Sequence, residues 1–446
     1  MNERDVEKFV GNQIGVPCPR GLASIHIDLG QVSATDGNQI DSGDTTWVIV
    51  STGLVFIMTP AVAFFYGGML RKANFLSMLG QSLIIVGIVT LIWVICGYSL
   101  SFGADNSGLI GNLDHAFLKG VGLTPNETAP TIPSILFMMF QGMFAVITVA
   151  LIIGSVAERM RLLSLVIFIS VWTVAVYVPV AHWVWGGGWI SDLGALDFAG
   201  GTVVHITAGV SSLAAVLVLG KRITVEKGFQ SPPHNIPMTV LGGALLWIGW
   251  FGFNGGSALA ANGLAANALV VTHISAATAT IIWGLISWLH TGRVSVLGLI
   301  SGSIAGLVAI TPAAGFVDAI GAIVIGIGAA VICYSGIMIR KKVGFDDALD
   351  VWGVHGLGGT FGPLATGLLA TTAINPAGAD GLLYGGGLDL FVAQLISVVV
   401  VWAFAFLLTI AILKAISLSV PLRMSKEEER IGADIIQHGE EAYSLR

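Results

Sequence analysis

Long stretches without a charged residue dominate this chain and limit the folds open to it. A helix that spans a bilayer needs about 20 consecutive, mostly apolar residues. The longest uncharged stretch, 228–292, is interrupted by Asn and Gly at 254–257 and 262–263, so it predicts two helices. The eleven predicted spans occupy 45–70, 73–104, 129–157, 162–191, 198–220, two parts of 228–292, 294–317, 319–339, 351–379 and 390–413.

The composition is that of a polytopic, all-α membrane protein. Hydrophobic residues make up 55% of the chain and charged residues 10%, with a mean hydropathy of +0.87. Neither a basic stripe nor a nucleotide-binding fingerprint is visible, so nucleic acid is not an expected partner. The three cysteines lack the spacing of metal ligands, and we expect neither a metal nor a cofactor.

Basic residues gather in alternate connections between the predicted spans. Sixteen of the twenty Lys and Arg residues follow odd-numbered spans; the others are Arg4, Lys8, Arg20 and Lys119. Because cytoplasmic loops are enriched in Lys and Arg, this pattern predicts an external N-terminus and a cytoplasmic C-terminus.

A short internal echo indicates an inverted repeat of five spans. Leu-Asp followed by Val-His occurs within 196–205 in the fifth span and again within 349–355 in the tenth, which matches Asp350 to Asp197. Two repeats with an odd number of spans must be inverted, and binding is then expected near the midplane between them.

These patterns divide the chain into three parts. The N-terminal part lacks the regions of a signal peptide, and the C-terminal part is either a solvated tail or a docking surface for a cytosolic protein or a neighbouring subunit. The parts are an external tail at 1–44, an eleven-helix domain at 45–415 (repeat one about 45–220, repeat two about 230–375, eleventh helix about 388–415) and a cytoplasmic tail at 416–446.

Ionisable side chains inside predicted spans are candidates for function because hydrocarbon penalises them by roughly 2.5–3.5 kcal/mol or more. Asp197, at the outer start of span five, is expected to cap a helix. His205 lies eight residues further on, about 12 Å deeper. His355 occurs in a glycine-rich part of span ten. Each histidine is either a hydrogen-bonded core residue or part of a shared pathway, and His273 is expected in the core or along the pore.

The outer end of span four carries the sequence HWVWGGGW at 182–189. Tryptophans are common in the interfacial belts of membrane proteins, and such a belt explains at least two of the three tryptophans in this segment. A tryptophan at the mouth of a pathway can also hold a cation over its ring, for about 0.5–2 kcal/mol.

Taken together, several segments closely resemble the ammonium transporter family (Amt/Mep/Rh), on its Amt side. The resemblance runs in order from the first span to the C-terminus. The matching segments are FYGGMLRKAN (65–74), FQGMFAVITVALIIGSVAERMR (140–161), AHWVWGGGW (181–189), GALDFAGGTVVHITAG (194–209), GWFGFNGGSA (249–258), DDALDVWGVHGLGG (346–359) and the tail EEERIGADIIQHGEEAY.

The resemblance implies a homotrimer of eleven-helix subunits in the plasma membrane, each with its own pore, and a transporter rather than an enzyme. It further implies uptake of ammonium, with methylammonium as a possible second substrate, and a PII-class signalling protein at the tail. By the resemblance, the site residues are Trp185, Phe144 and Ser257 for ammonium recruitment, Phe144 and Phe253 for a gate, His205, His355 and Trp250 for the pore, and Asp197 near the mouth.

A bare ammonium ion in a low-dielectric pore costs on the order of 20 kcal/mol in the idealised limit. Deprotonation at pH 7 costs roughly 5 kcal/mol if its pKa resembles that of lysine, about 10.4. Conduction of neutral ammonia is therefore favoured, and the sequence leaves open whether the proton follows. A sensor that binds ammonium without transport and a bis-histidine haem carrier are the alternatives.

Overall fold

The computed structural model describes residues 40–226 and 232–443, and helices dominate both ranges. Most of the predicted external tail therefore lies outside the described residues. The first helix begins at Ser42, slightly before the predicted residue 45, because the Asp41 carboxylate accepts a hydrogen bond from the Asp44 N–H at 2.8 Å.

Helices lie at all the positions where spans were predicted, and nine of those in the described ranges are long and apolar enough to cross a membrane. The helices are α1 (Ser42–Met69), α2 (Lys72–Phe102), α3 (Ser134–Val156), α4 (Leu162–Asp192), α5 (Gly201–Leu219), α6 (Ile236–Gly256), α7 (Gly263–Thr291), α8 (Val296–Ile310), α9 (Ala319–Val343), α10 (the π-turn Trp352–Gly356 continued by Leu357–Leu369) and α11 (Asp389–Ser417). The protein is thus a multi-pass membrane protein. Crossing by the shorter α8 and α10 stays a prediction.

Side-chain caps explain why the uncharged stretch 228–292 forms two helices. Asn262 accepts hydrogen bonds from the N–H groups of Leu264 and Ala265, at 3.0 and 3.1 Å, and so starts α7. The next connection ends in the same way, since the Ser295 hydroxyl accepts from the Gly298 N–H at 3.0 Å. The predicted break is confirmed.

Glycines bring together helices that hold the same position in the two predicted repeats. In the α1–α6 pair, a Cβ added at Gly242 would lie 2.3 Å from the Phe65 nitrogen. In the α5–α10 pair, a Cβ added at Gly209 would lie 2.0 Å from the Gly356 nitrogen. Only glycine permits backbones to approach this closely.

The interpretation of the C-terminal segment as a solvated tail is wrong for the part that the structure describes. The tail forms α12 (Lys426–Ile431) and the π-turn Asp434–His438. Asp434, only 1% exposed, accepts from the N–H groups of Leu76 and Ser77 at the start of α2, at 3.1 and 2.7 Å. It thereby satisfies N–H groups that a helix end leaves unpaired.

A buried ion-pair network lies at the same end of the bundle. Arg222 donates to Asp346 at 2.8 Å and to Glu158 at 3.0 Å, and Arg71 contacts Glu158 at 3.3 Å. Burial alone would raise the pKa of Asp346, but the hydrogen bonds and charge of Arg222 outweigh burial and lower that pKa to about 2. These basic residues belong to the side predicted to be cytoplasmic.

The prediction that His273 lies in the core or along the pore is wrong. Its side chain is exposed on the surface of α7, where its ring lies 5.4 Å from that of Trp247 and 6.1 Å from that of Phe251. The sequence of α7 contains no charged residue, so it did not indicate which face of the helix packs against the rest of the chain.

Candidate functional site

Two histidines from opposite halves of the chain meet in the centre of the bundle. His205 lies in the π-turn Gly201–Ile206 that opens α5, and His355 lies in the π-turn that opens α10. A π-turn inserts an extra residue into a helical turn and often occurs at functional positions. The side chains are 1% and 4% exposed.

The two imidazole rings share a hydrogen bond. Their Nδ1 atoms lie 3.2 Å apart, so one of these nitrogens carries a proton and the other accepts it. The Nε2 atom of His205 is buried and has no hydrogen-bond partner among the described residues. This nitrogen is therefore available for a hydrogen bond with a small polar molecule.

Beside the histidines lies a narrow apolar cavity. His205 stacks on Trp250 with ring centroids 5.4 Å apart, and the Trp250 indole donates to the Thr311 hydroxyl at 2.9 Å. The cavity leaves about 10 Å³ open to the centre of a water-sized molecule, so it has room for about one such molecule. Its lining is Met58, Val62, Phe65, Tyr66, Ile147, Leu151, His205, Leu246, Trp250, Phe253, Ile304 and His355.

Two phenylalanine rings lie against each other on the side of the cavity away from the ion-pair network. The rings of Phe144 and Phe253 lie 4.4 Å apart, and both side chains are at most 1% exposed. The Phe253 ring also stacks on His205 at 6.0 Å. This continuous aromatic cluster makes Phe144 and Phe253 a candidate barrier.

Beyond this barrier lie the aromatic and hydroxyl groups expected to recruit ammonium. Trp185 is half-buried, and its ring meets Phe144 edge-on at 5.8 Å and 87°. The Ser257 hydroxyl donates to the Phe253 carbonyl at 2.8 Å, so its oxygen keeps lone pairs free to accept another hydrogen bond. Phe144 thus contacts both Trp185 and Phe253, and Ser257 follows Phe253 by about one helical turn.

Asp197 holds the start of α5. Its Oδ1 accepts from the N–H groups of Gly200 and Gly201 at 2.8 and 2.7 Å, and its Oδ2 accepts from Thr202 and Val203 at 2.8 and 3.1 Å. A carboxylate offers about four acceptor sites, and here the backbone occupies them. Asp197 also places Trp185, whose indole donates to the Asp197 carbonyl at 2.8 Å.

The matching of Asp350 to Asp197 is wrong. Asp347 accepts from the Trp352 N–H at 2.7 Å at the start of α10, and it precedes His355 by the same eight residues that separate Asp197 from His205. Asp350 instead pairs with Arg340 at 2.6 Å and lines a second cavity on the far side of His355.

A sequence model of the family described as Ammonium Transporter Family matches residues 46–443. The chain belongs to that family. An ammonium transporter of Bacillus subtilis is 51% identical over 90% of this chain and 98% of its own length. The ammonium transporter Amt1 of Archaeoglobus fulgidus is 49% identical over 91% of this chain and its full length. The crystal structure of Candida albicans Mep2 superimposes with a TM-score of 0.83 at 38% identity, covering 91% of each chain.

The family membership agrees with the fold derived above. Every residue named from the resemblance lies at or between the two histidines and the aromatic mouth. Sequence reasoning missed Thr311, which orients Trp250, and Asp347. The equal spacing of Asp197–His205 and Asp347–His355 was the signal that would have found the second of these.

Proposed function

We propose that this protein takes up ammonium across the plasma membrane, and that it moves the nitrogen as neutral ammonia and the proton separately. The observation that carries the proposal is the buried His205–His355 hydrogen bond beside an apolar cavity and behind an aromatic barrier. The described lining of this cavity provides polar atoms for a small neutral molecule, and it contains no carboxylate to balance a full positive charge.

Recruitment takes place at the outer mouth. Trp185 and Phe144 offer aromatic faces to the cation, and Ser257 accepts a hydrogen bond from it. Cation–π attraction contributes about 0.5–2 kcal/mol here, which is enough to select ammonium over a neutral molecule but not to carry it through hydrocarbon.

Deprotonation follows at the Phe144–Phe253 barrier, and the proton acceptor is the Nε2 atom of His205, whose ring stacks on Phe253. The Asp197 carboxylate is saturated by four backbone N–H groups, which makes it a poor proton acceptor, and its part is to shape the mouth. Removing the proton costs roughly 5 kcal/mol at pH 7, against on the order of 20 kcal/mol for burying the ion.

The histidine pair then conducts both ammonia and the proton. Ammonia donates and accepts hydrogen bonds along the ring edges, where the buried Nε2 of His205 lacks a protein partner among the described residues. After Nε2 of His205 has taken up the proton from ammonium, His205 gives its Nδ1 proton to Nδ1 of His355 across the 3.2 Å contact. His355 then releases its Nε2 proton toward the cytoplasmic side, which gives net charge transfer. Methylammonium replaces one N–H group of ammonium by a methyl group and is a second substrate if that methyl group clears the barrier.

His273 supports assembly into a homotrimer. An exposed imidazole part-way along a long apolar helix is expensive in lipid, and the neighbouring Trp247 indole N–H is buried without a partner among the described residues. A second subunit on this face covers both groups, while the remaining apolar surface faces the bilayer.

The tail provides the contact for a PII-class signalling protein. Its described part is folded against the cytoplasmic ends of α2 and α5, where Glu429 accepts from the Ile223 N–H at 3.1 Å. A partner that displaces the tail therefore acts directly on the helices that surround the pore.

Ammonium-induced currents in proteoliposomes containing the purified protein test the proposal. We expect a current for the wild-type protein, a strongly reduced current for His205→Ala, and a loss of selectivity over potassium for Trp185→Leu. Binding of ammonium without current or nitrogen uptake would instead establish the sensor alternative.

A further inference from the structure

A buried histidine near the outer mouth has no part in the pathway described above. His182 lies in α4 with its side chain wholly buried. Its Nδ1 lies 3.0 Å from the carbonyl oxygen of Ser101, and its Nε2 lies 2.9 Å from Oδ1 of Asp105. Asp105 begins a small hairpin of β1 (Asp105–Asn106) and β2 (Ile110–Gly111) that follows α2.

These two contacts fix the orientation of the ring. Nδ1 is held by the Ser101 carbonyl near the end of α2, and Nε2 is held by the Asp105 carboxylate in the hairpin. The side-chain hydrogen bond with His182 lowers the pKa of Asp105 below its ordinary value. The imidazole therefore ties α4 to the end of α2 and to the hairpin.

The same hairpin accepts further hydrogen bonds from the outer end of α4. The Trp183 indole donates to the Leu109 carbonyl at 2.8 Å, and the Trp189 N–H donates to the Gly108 carbonyl at 3.1 Å. Between them, Gly186 lies against Ser101 so closely that a Cβ there would be 1.9 Å from the Ser101 oxygen. The backbone segment that carries Trp185 is thus held from both ends.

We propose that the contact between Asp105 and His182 positions Trp185 for ammonium recruitment. His182 precedes Trp185 by about one helical turn, so fixing the imidazole ring fixes the turn from which the indole projects toward Phe144. His182 and Asp105 are positioning residues and do not touch the ion. This inference rests on the recruitment step of the proposed function.

The carboxylate acts through geometry and not by attracting ammonium. Both oxygens of Asp105 accept from the Gly108 N–H at 2.9 Å, which stiffens the hairpin, and Oδ1 also contacts Nε2 of His182. The carboxylate is therefore engaged by the hairpin and by His182. The carboxylate of Asp192, exposed on the same outer surface, has no hydrogen bond to any described residue and provides a matched control for surface charge.

The test measures ammonium-induced current against ammonium concentration for full-length protein in proteoliposomes. Asp105→Ala is expected to raise the half-saturating concentration by about 2- to 30-fold, the range equivalent to losing a cation–π contact of 0.5–2 kcal/mol, with little change in maximal current. Asp192→Ala is expected to match the wild-type protein. In a Trp185→Leu background, Asp105→Ala is expected to have no further effect.

Two substitutions of His182 separate positioning from folding. His182→Gln keeps an amide donor near the Nε2 position facing Asp105, whereas His182→Asn keeps a donor only near the Nδ1 position facing Ser101. We expect the glutamine variant to retain a lower half-saturating concentration than the asparagine variant.

An unchanged half-saturating concentration in Asp105→Ala would overturn the positioning role. So would an equal effect of Asp105→Ala in the wild-type and Trp185→Leu backgrounds, because the carboxylate would then act independently of the tryptophan. If Trp185→Leu alone leaves half-saturation unchanged, the recruitment step fails, and the positioning inference fails with it. A wild-type protein that binds ammonium without current would refute the proposed transport on separate grounds.

Discussion

The crossing of α5 and α10 at Gly209 and Gly356 permits a sharp prediction about the histidine pair. A Cβ at Gly209 would lie 2.0 Å from the Gly356 nitrogen, whereas ordinary contacts begin at 3.4 Å. Gly209→Ala must therefore separate the helices by about 1.4 Å (3.4 minus 2.0). The same displacement would lengthen the 3.2 Å contact between His205 and His355 beyond hydrogen-bond reach.

The expected consequence is a loss of conduction larger than the loss of stability. Overpacking a core typically costs about 1–3 kcal/mol, which a folded membrane protein can survive. Breaking a hydrogen bond that carries a proton removes about 1.5–3 kcal/mol, or roughly 10- to 150-fold in rate. We expect ammonium current to fall by at least about tenfold on this basis.

The assay compares currents and thermal unfolding of purified Gly209→Ala and Gly87→Ala in proteoliposomes and detergent. Gly87 is the matched control, since a Cβ there meets nothing within 4 Å. Wild-type current from a folded Gly209→Ala protein would refute the claim that the close helix crossing maintains the histidine pair.

Three further predictions follow from the other contacts. Ser257→Ala removes the accepting oxygen at the mouth and should raise the half-saturating ammonium concentration about 2- to 10-fold, with Ser257→Thr restoring it, in current titrations. Asp346→Asn should lower the free energy of unfolding in detergent at pH 7 by about 2 kcal/mol, because the pKa of Asp346 falls from 3.8 to about 2 on folding. This stabilisation is complete above about pH 4 and is lost as pH falls toward 2. A substitution that costs as much stability at pH 2 as at pH 7 would contradict the prediction. Asp434→Ala leaves the first N–H groups of α2 without their cap and should release the tail to proteolysis, whereas Glu440→Ala on the exposed tail surface should not.

The sequence predicted where most helices lie because uncharged stretches and polar caps are local signals. It also identified His205 and His355, since an ionisable residue in a long apolar segment stands out. That the two rings share a hydrogen bond could not be predicted, because it depends on the approach of Gly209 to Gly356 in the folded bundle.

Other features depend on contacts that local patterns do not contain. The position of His273 on an outer face follows from which side of α7 packs against the same chain, and its helix carries no charged residue on any face. The role of His182 depends on a hairpin 77 residues earlier in the chain. The tail is a charged segment in the sequence, yet its Asp434 carboxylate caps the start of α2.

The most direct test of the mechanism is the ratio of charge to nitrogen delivered, measured in the same proteoliposomes from the integrated current and the ammonium captured inside. Separate passage of ammonia and its proton predicts one elementary charge for each nitrogen atom, with a parallel loss of both in His205→Ala. Nitrogen accumulation without charge movement, accompanied by a rise in internal pH, would contradict the proton pathway through the histidine pair.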